Sequence, residues 1–465
     1  MRKTKRYNQF IDLNLVEKVK GFEANPPQIT GFSISRLKYL LSLIISHKQD
    51  NHEGALSLLN MQYMLNVVPN ANEYLDFLRE QGIIEWVNYF AGRNSRMYRL
   101  KNEGKIEFKA ITDKQLIYRI EINRIKRKKQ NSKKYPELNK FINSVEINYD
   151  AALKTIESTY LKNIEEANAK AEGRRTFSLA EVEKIQSGEI FIKCNKTNGR
   201  LDSNFTRLPS ELLQHLSING NPLVEIDIKN SQPFFAACLL NPTPEIEKLM
   251  MRYLGKNITM LAKSLQLANN EDVKLYTSLV TTGNFYEPFL MEKFKENGIN
   301  VKNRDELKKH LFIVFFGKLN AYKYNPAARL FKSLFPNVQK LFDAIKKDEY
   351  NQLAIILQRI ESYSLLDRVA QKILADLPGL PFLTRHDSIL PSGIFVTSDT
   401  AEKVKSILLE TIKEVTGLMP MARIKNNTEI KLPKNPQPIF MNIIQHNLSI
   451  ISTPYHYVSQ TSITN

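Results

Sequence analysis

Two aspartates far apart in the chain, and a helix-like run between them, carry the residue types that phosphate chemistry needs. Asp227 ends the apolar alternation Leu223-Val-Glu-Ile-Asp227, and Ser231-Gln232-Pro233 follow shortly after it. Asp387 follows His386 after a second hydrophobic run, Leu380-Pro-Phe-Leu-Thr-Arg. Both read as short strands that deliver an aspartate at a turn. Two carboxylates converging from distant strands form a hard oxygen site suited to Mg²⁺. A pair of such ions activates an attacking 3′-hydroxyl and stabilises a pyrophosphate leaving group. Either acid alone could equally be a solvated turn residue or a helix cap.

Between them lies Arg304-Asp-Glu-Leu-Lys308-Lys-His-Leu-Phe312-Ile-Val-Phe-Phe316-Gly317. Arg304, Lys308, Phe312 and Phe316 recur every fourth residue. On a helix this drifts only about 40° per step and lays them along one stripe. Its cations could hold a triphosphate, and its rings could stack on a base. The same spacing is that of any buried helical face, with Phe312 and Phe316 in the core and the cations at its rim.

The elements that must position these groups read as a short antiparallel sheet flanked by helices. The order acid strand, R-x-x-x-K-x-x-x-F-x-x-x-(F/Y)-G helix, then His-Asp resembles motifs A, B and C of the family A polymerases. That group contains bacterial repair-type DNA polymerases and single-subunit phage and mitochondrial RNA polymerases. Thr197-Asn-Gly199-Arg200-Leu201-Asp-Ser203 resembles the family's T-x-G-R-L-S segment, and Phe331-Lys-Ser-Leu-Phe335-Pro336-Asn-Val338 its Y-F-x-x-Y-P-x-V run. The helix-like Ala401–Glu414 and the segment Leu418–Ile424 resemble the closing helix and strand of the palm. The likeness spans about residues 190 to 425.

The resemblance implies an α+β fold: a right-hand polymerase palm with an antiparallel sheet, helical fingers and thumb-like helices. It assigns Asp227 and Asp387 to two Mg²⁺ ions, with Mn²⁺ as a substitute. Lys308 would contact the triphosphate and protonate the leaving pyrophosphate, while Arg304 grips the phosphates. Phe312 would pack on the incoming nucleotide, and Phe316 and Gly317 would close the pocket beside the templating base. Arg200 and His386 would lie near the primer terminus. A bulky residue five positions after the metal aspartate would exclude a ribose 2′-hydroxyl. Gapless counting reaches Gln232, whereas matching Ser231-Gln232 to the family's Ser-Gln moves that gate to Phe234.

Departures accompany the likeness. Motif A in the DNA enzymes reads D-Y-S-Q-I-E, but Ser-Gln comes two residues later here. Motif C reads His-Asp-Ser, as in the RNA enzymes, and Phe316 replaces a tyrosine. Gln358-Arg359-Ile-Glu361-Ser362 falls where the family has a polar helix facing the primer, without its usual pattern. Glu361 there is either a site residue or a surface or core-edge glutamate.

The chain has 465 residues, enough for about two to four domains. Its net charge of +18 suits a polyanion-binding protein. Two cysteines are too few for a disulfide framework or a zinc site, which points to a reducing compartment. No run approaches a membrane span, so a soluble cytoplasmic protein with no membrane partner is expected.

Residues 30–110 read as a winged-helix-like domain. Ser35–Ser46 and Asn72–Gln81 have helical periodicity, and two alternating strands flank a Gly92-Arg93-Asn94 turn. Arg93, Arg96 and Arg99 suit phosphate contacts, although such domains also bind proteins, here a replication-initiation partner. Residues 111–189 read as a basic linker and thumb-like helices. Pro136–Lys170 is expected to be helical, burying Leu138, Phe141, Ile142, Val145, Ala151 and Leu153. Residues 190–425 form the palm and fingers, and 426–465 a tail without functional signal. No carboxylate set upstream of residue 190 suits a proofreading exonuclease.

The expected function is a DNA polymerase without proofreading, acting on primer–template and dNTPs. An RNA polymerase or primase of the same fold is the enzyme alternative. A non-catalytic winged-helix replication initiator or regulator is the other.

Overall fold

The computed structural model describes residues 7–425 apart from 50–55, 88–95, 102–103, 129–133, 143, 167, 169 and 393–397. The fold is α+β, mainly helical with small antiparallel sheets. At its centre four strands lie in the order Phe382–Arg385, Ser388–Pro391, Glu225–Ile228, Ala422–Lys425. Period-two alternation sends Ile226 and Ile228 to one face of the Glu225–Ile228 strand and Glu225 and Asp227 to the other. Opposite charges meet across the next strand, because Glu225 pairs with Lys425 and Asp227 with Arg423. Asp227 therefore lies within a strand rather than at the expected turn. Asp387 does occupy a turn, the two-residue loop between the paired Arg385 and Ser388.

Asn230 turns the chain out of the sheet at φ 55, a left-handed conformation that asparagine tolerates. The helix Ser231–Leu240 that follows is apolar all round from Pro233 to Leu240 and wholly buried there, as such a helix must be. It packs against Glu271–Thr281 and Gln352–Ser362. Phe234, one of the two expected sugar gates, is sealed in this core against Phe235.

The helix Arg304–Phe316 starts at Asn303, whose side chain accepts from Glu306 N, and carries Asp305 and Glu306 in its first turn, favourable to the helix dipole. It buries Leu307, Leu311, Val314 and Phe315. The stripe of Arg304, Lys308, Phe312 and Phe316 is thus not the core face. Gly317 ends the helix where an added Cβ would sit 2.6 Å from Ile313 O. The buried Lys346 donates to the carbonyls of Val314 and Gly317 at 2.5 and 3.2 Å, capping that end. Desolvation lowers its pKa to about 8.

Toward the N-terminus, helices Ile34–Ser46 and Ala71–Glu80 accompany a sheet ordered Lys48–Gln49, Leu56–Leu58, Met97–Leu100, Ile84–Val87. The turn carrying Arg93 lies outside the described residues. A strand that the sequence did not suggest, Asn8–Asp12, pairs with Ile106–Ala110. Asn8 also donates to Glu183, at 3.1 Å from its backbone and 3.0 Å from its side chain. Residues 8–12 thus pair with a strand that lies inside the 30–110 stretch.

Pro136–Lys170 is not continuously helical. Helices Pro136–Ile142 and Tyr149–Glu165 enclose a strand, Val145–Ile147, which pairs with Leu216–Ile218. Val145 and Ile147 point inward and Glu146 outward, a period-two pattern too short to see beside strong helices. In the second helix Ala152 and Ile156 are buried, rather than Ala151 and Leu153. Among the described residues no helix is long and apolar enough to cross a membrane.

Candidate active site

The central sheet brings the two aspartates together. The amide of Ile228, next to Asp227, donates to the carbonyl of Asp387 at 3.3 Å, so the strand that carries Asp227 runs beside the turn that carries Asp387. Asp227 is gripped from the Ala422–Lys425 strand. Arg423 reaches Oδ1 at 2.9 Å through Nε and Oδ2 at 3.1 Å through Nη2. Lys425 lies 2.8 Å from Oδ2. Arg423 Nε also reaches Oδ2 at 3.3 Å, so of the two oxygens Oδ1 carries the fewer contacts. Lys425 also meets Glu225 at 3.1 Å, completing a ladder of alternating charge.

Asp387 has a different environment. Burial, then the negative charges of Glu361 and Asp227, raise its pKa to about 7, against the ordinary 3.8. Converging carboxylates disfavour one another's ionisation.

Glu361 is the third member of the cluster, and only 1% of it is exposed. Arg200 meets it in a two-pronged pair, Nε to Oε1 at 2.8 Å and Nη2 to Oε2 at 2.9 Å. Ser231 Oγ donates to Oε2 at 3.3 Å and Gln232 Nε2 at 2.6 Å. The Glu361 helix also fastens the loop before Arg200. Arg359 Nε donates to Thr197 O at 2.7 Å, Ser362 Oγ to Asn198 O at 3.1 Å, and Asn198 Nδ2 to Gln358 Oε1 at 3.0 Å. Gly199 allows this approach. It has φ 77, and a Cβ there would lie 3.3 Å from Ser362 Cβ.

His386 stands beside Asp387 at φ 51, in the sparsely populated left-handed region. Burial, with the Arg200 and Arg385 cations nearby, pushes its pKa down to about 4, so the ring is neutral at pH 7. Arg304 is tied to the same region, because its Nη2 donates to Asn230 Oδ1 at 2.8 Å. Its guanidinium lies over the Tyr286 ring, 5.5 Å from the centroid. Lys308, one turn on, is exposed and pairs with Asp305 at 3.1 Å. Phe312 is 62% exposed, its ring centroid 4.6 Å from that of Phe316. Arg96 is separate from this cluster, in the N-terminal unit, 4.8 Å from the Trp86 ring centroid.

Asn230 Nδ2, Gln232 Oε1, Arg304 Nε and His386 Nδ1 are buried with no hydrogen-bond partner. Each such atom costs about 1–3 kcal/mol unless something satisfies it. Asn230, Gln232 and His386 are each within a few residues of Asp227 or Asp387 in the chain, and Arg304 is bonded to Asn230.

The sequence left Glu361 open and did not single out Asn230, Arg423 or Lys425; the structure places Asn230 against Arg304 and the other two against Asp227. For the last two a signal existed: Arg-Ile-Lys alternates in charge against Glu-Ile-Asp, as cross-strand partners do.

No family model matches the chain, and no curated protein matches it. Among solved structures it is similar to the polymerase domain of Pol1 from M. smegmatis in complex with DNA primer-template and dNTP. The alignment covers 57% of this chain and 54% of that one, at 12% identity and a TM-score of 0.27. The chain thus spans about half the length of that structure.

Proposed function

We propose that the protein is a template-directed nucleotidyltransferase, a DNA polymerase without proofreading that adds dNTPs to a primer 3′-hydroxyl. The observation that carries this reading is the pairing of Asp227 with Asp387, beside a helix that presents cations and rings along one stripe.

The donor set fits divalent metal. Among the described residues no group of three or more His, Cys, Asp or Glu side chains is placed to hold a metal ion, so an ion here would rest on the two aspartates. Mg²⁺ commonly takes one or two protein carboxylates and completes its shell with water and substrate phosphates. Asp387, held partly protonated by burial and then by its acidic neighbours, gains most from a cation placed between the acids. Two Mg²⁺ ions bound by Asp227 and Asp387 would supply activation of the 3′-hydroxyl and stabilisation of the departing pyrophosphate.

The remaining roles belong to the chain itself. Arg304, oriented by Asn230, binds the triphosphate, and Lys308 neutralises charge on the leaving pyrophosphate and gives it a proton. Phe312 offers an exposed ring to the incoming base, with Phe316 and Gly317 at the end of the pocket. Arg200 and the neutral His386 face the primer terminus. Gln232 fills the space that a ribose 2′-hydroxyl would need. Arg96 and Arg93 belong to a template-binding surface, where a replication-initiation partner could also dock.

Primer extension on DNA and RNA templates, with dNTPs and NTPs supplied separately, tests this reading. Extension by dNTPs on DNA, lost in Asp227→Ala and Asp387→Ala, is the expected result. No extension under any combination would leave the non-catalytic initiator. Readily used NTPs and poorly used dNTPs would select the primase or RNA polymerase, which the His386-Asp387-Ser388 turn favours.

A further inference from the structure

Gln232 and Glu361 form a unit whose chemistry has a direction. An ionised carboxylate only accepts hydrogen bonds, so the 2.6 Å contact to Glu361 Oε2 must come from the Gln232 amide nitrogen. The amide is thereby oriented, and its Oε1 is left buried without a partner. Glu361 is itself fixed by the paired Arg200 contacts and by Ser231. Charge-assisted, two-pronged contacts of this kind hold geometry more firmly than a single neutral bond. Gln232 is otherwise a flexible side chain at the start of a helix, and the bond to Glu361 is what restrains its amide.

We propose that Glu361 is the positioning residue for sugar selection, holding Gln232 in the orientation that crowds a ribose 2′-hydroxyl. This rests on the polymerase reading above. Glu361 touches neither nucleotide nor metal in this scheme; it acts through Gln232 and Arg200.

The test uses full-length wild type, Glu361→Gln, Glu361→Ala and the exchange Gln232→Glu/Glu361→Gln. Single-nucleotide extension gives the kcat/KM ratio for UTP over dTTP. Equilibrium binding of each nucleotide to enzyme on a dideoxy-terminated primer–template gives a readout without turnover. Glu361→Gln and Glu361→Ala should raise the ratio about tenfold, the effect of one oriented hydrogen bond. The exchange returns a carboxylate to Arg200 from position 232, and should bring the ratio back toward wild type. A merely structural Arg200–carboxylate pair would be rescued in the melting temperature as well, so the inference requires the single variants to change the ratio while their melting temperatures stay near wild type. Single variants with wild-type melting temperatures and an unchanged ratio would overturn the inference while leaving the polymerase reading intact. If the single variants do not fold, an exchange variant that folds without restoring selection has the same force. A wild type that extends with neither nucleotide removes the polymerase reading itself, and this inference with it.

Discussion

The carboxylate cluster and the Arg304 stripe are neighbours with opposite physical characters. Asp227 and Glu361 are buried, and each accepts several charged or polar donors. Along the stripe only Arg304 is anchored to that region, through Asn230. Lys308 holds just a local pair with Asp305, and Phe312 stands in solvent. Buried charges must be paired or they cost several kcal/mol, whereas exposed pairs contribute at most about 1 kcal/mol. The cluster is therefore fixed by the fold, and the stripe is free to adjust to what it meets. That division suits a site where the reaction geometry is built in and the substrate is gripped from outside.

The sharpest way to break this comparison is to remove either aspartate. Asp227→Ala or Asp387→Ala should cut nucleotide addition about a thousandfold or more. Primer–template affinity, measured by fluorescence anisotropy, should change little, because duplex grip comes from basic groups elsewhere. Asp227→Ala also strands Arg423 and Lys425 without their main acceptor, so it should melt lower than Asp387→Ala. Binding and activity that fall together would mean that the cluster holds the protein together rather than the reaction.

Asp387 carries the next largest effect, through pH. With its pKa at about 7, a proton competes with any cation at the site. Mn²⁺ affinity, followed by titration calorimetry, should fall roughly tenfold per pH unit below 7 if one proton is displaced. Stability runs the other way. Between 3.8 and about 7 the native state keeps a proton that the unfolded chain has released. Without divalent metal, the group's contribution to stability therefore declines as pH rises through that window. Asp387→Asn should flatten this part of the melting-temperature profile. A wild-type profile identical to that of the variant would show that neither burial nor the neighbouring acids raise the Asp387 pKa.

How much of this was readable in the chain depends on range. Asp227 and Asp387 were legible because each ends a hydrophobic run, and the order of the surrounding motifs supplied the rest. Their fixing was not, because the Arg423 and Lys425 contacts depend on the register of a strand nearly two hundred positions away, which local pattern does not set. Glu361 looked ordinary for a related reason. Its helix is amphipathic, and only the fold turns that glutamate inward toward Arg200. The Arg304 helix was ambiguous because Leu307, Leu311, Val314 and Phe315 make a second apolar face at helical spacing. Periodicity cannot rank two such faces, and burial settled it. The two candidate gate positions differ in burial. Phe234→Ala would open a core cavity and cost about 3–5 kcal/mol, which is a stability effect, whereas Gln232 lies against Glu361.

Lys308 tests the free side of the comparison. Lys308→Ala removes an exposed cation whose partner is a surface aspartate, so the melting temperature should stay near wild type. In single-turnover measurements the chemical step should slow about ten- to a hundredfold, with duplex affinity little altered, since phosphate charge shifts most during transfer. A large drop in stability with an unchanged chemical step would place Lys308 in the scaffold and dissolve the distinction drawn here.

The smallest expected effect lies farthest from the carboxylates. Arg96 stacks on Trp86, and Arg99 pairs with Glu85 on the adjoining strand. Like Lys308 these are cations of the surface, but they belong to a different sheet from the cluster. Because Asn8 fastens the N-terminal unit to Glu183, deleting the unit would disturb the rest of the chain, and point changes are the cleaner probe. Arg96→Ala/Arg99→Ala should weaken template binding severalfold at low salt. The slope of log affinity against log salt should become shallower by about one for each phosphate that is no longer neutralised. The chemical step at saturating template should not move. If instead the affinity and the salt slope are unchanged, these arginines do not touch nucleic acid. The N-terminal sheet would then be a protein-binding surface, and the exposed cations that grip the substrate would be confined to the stripe.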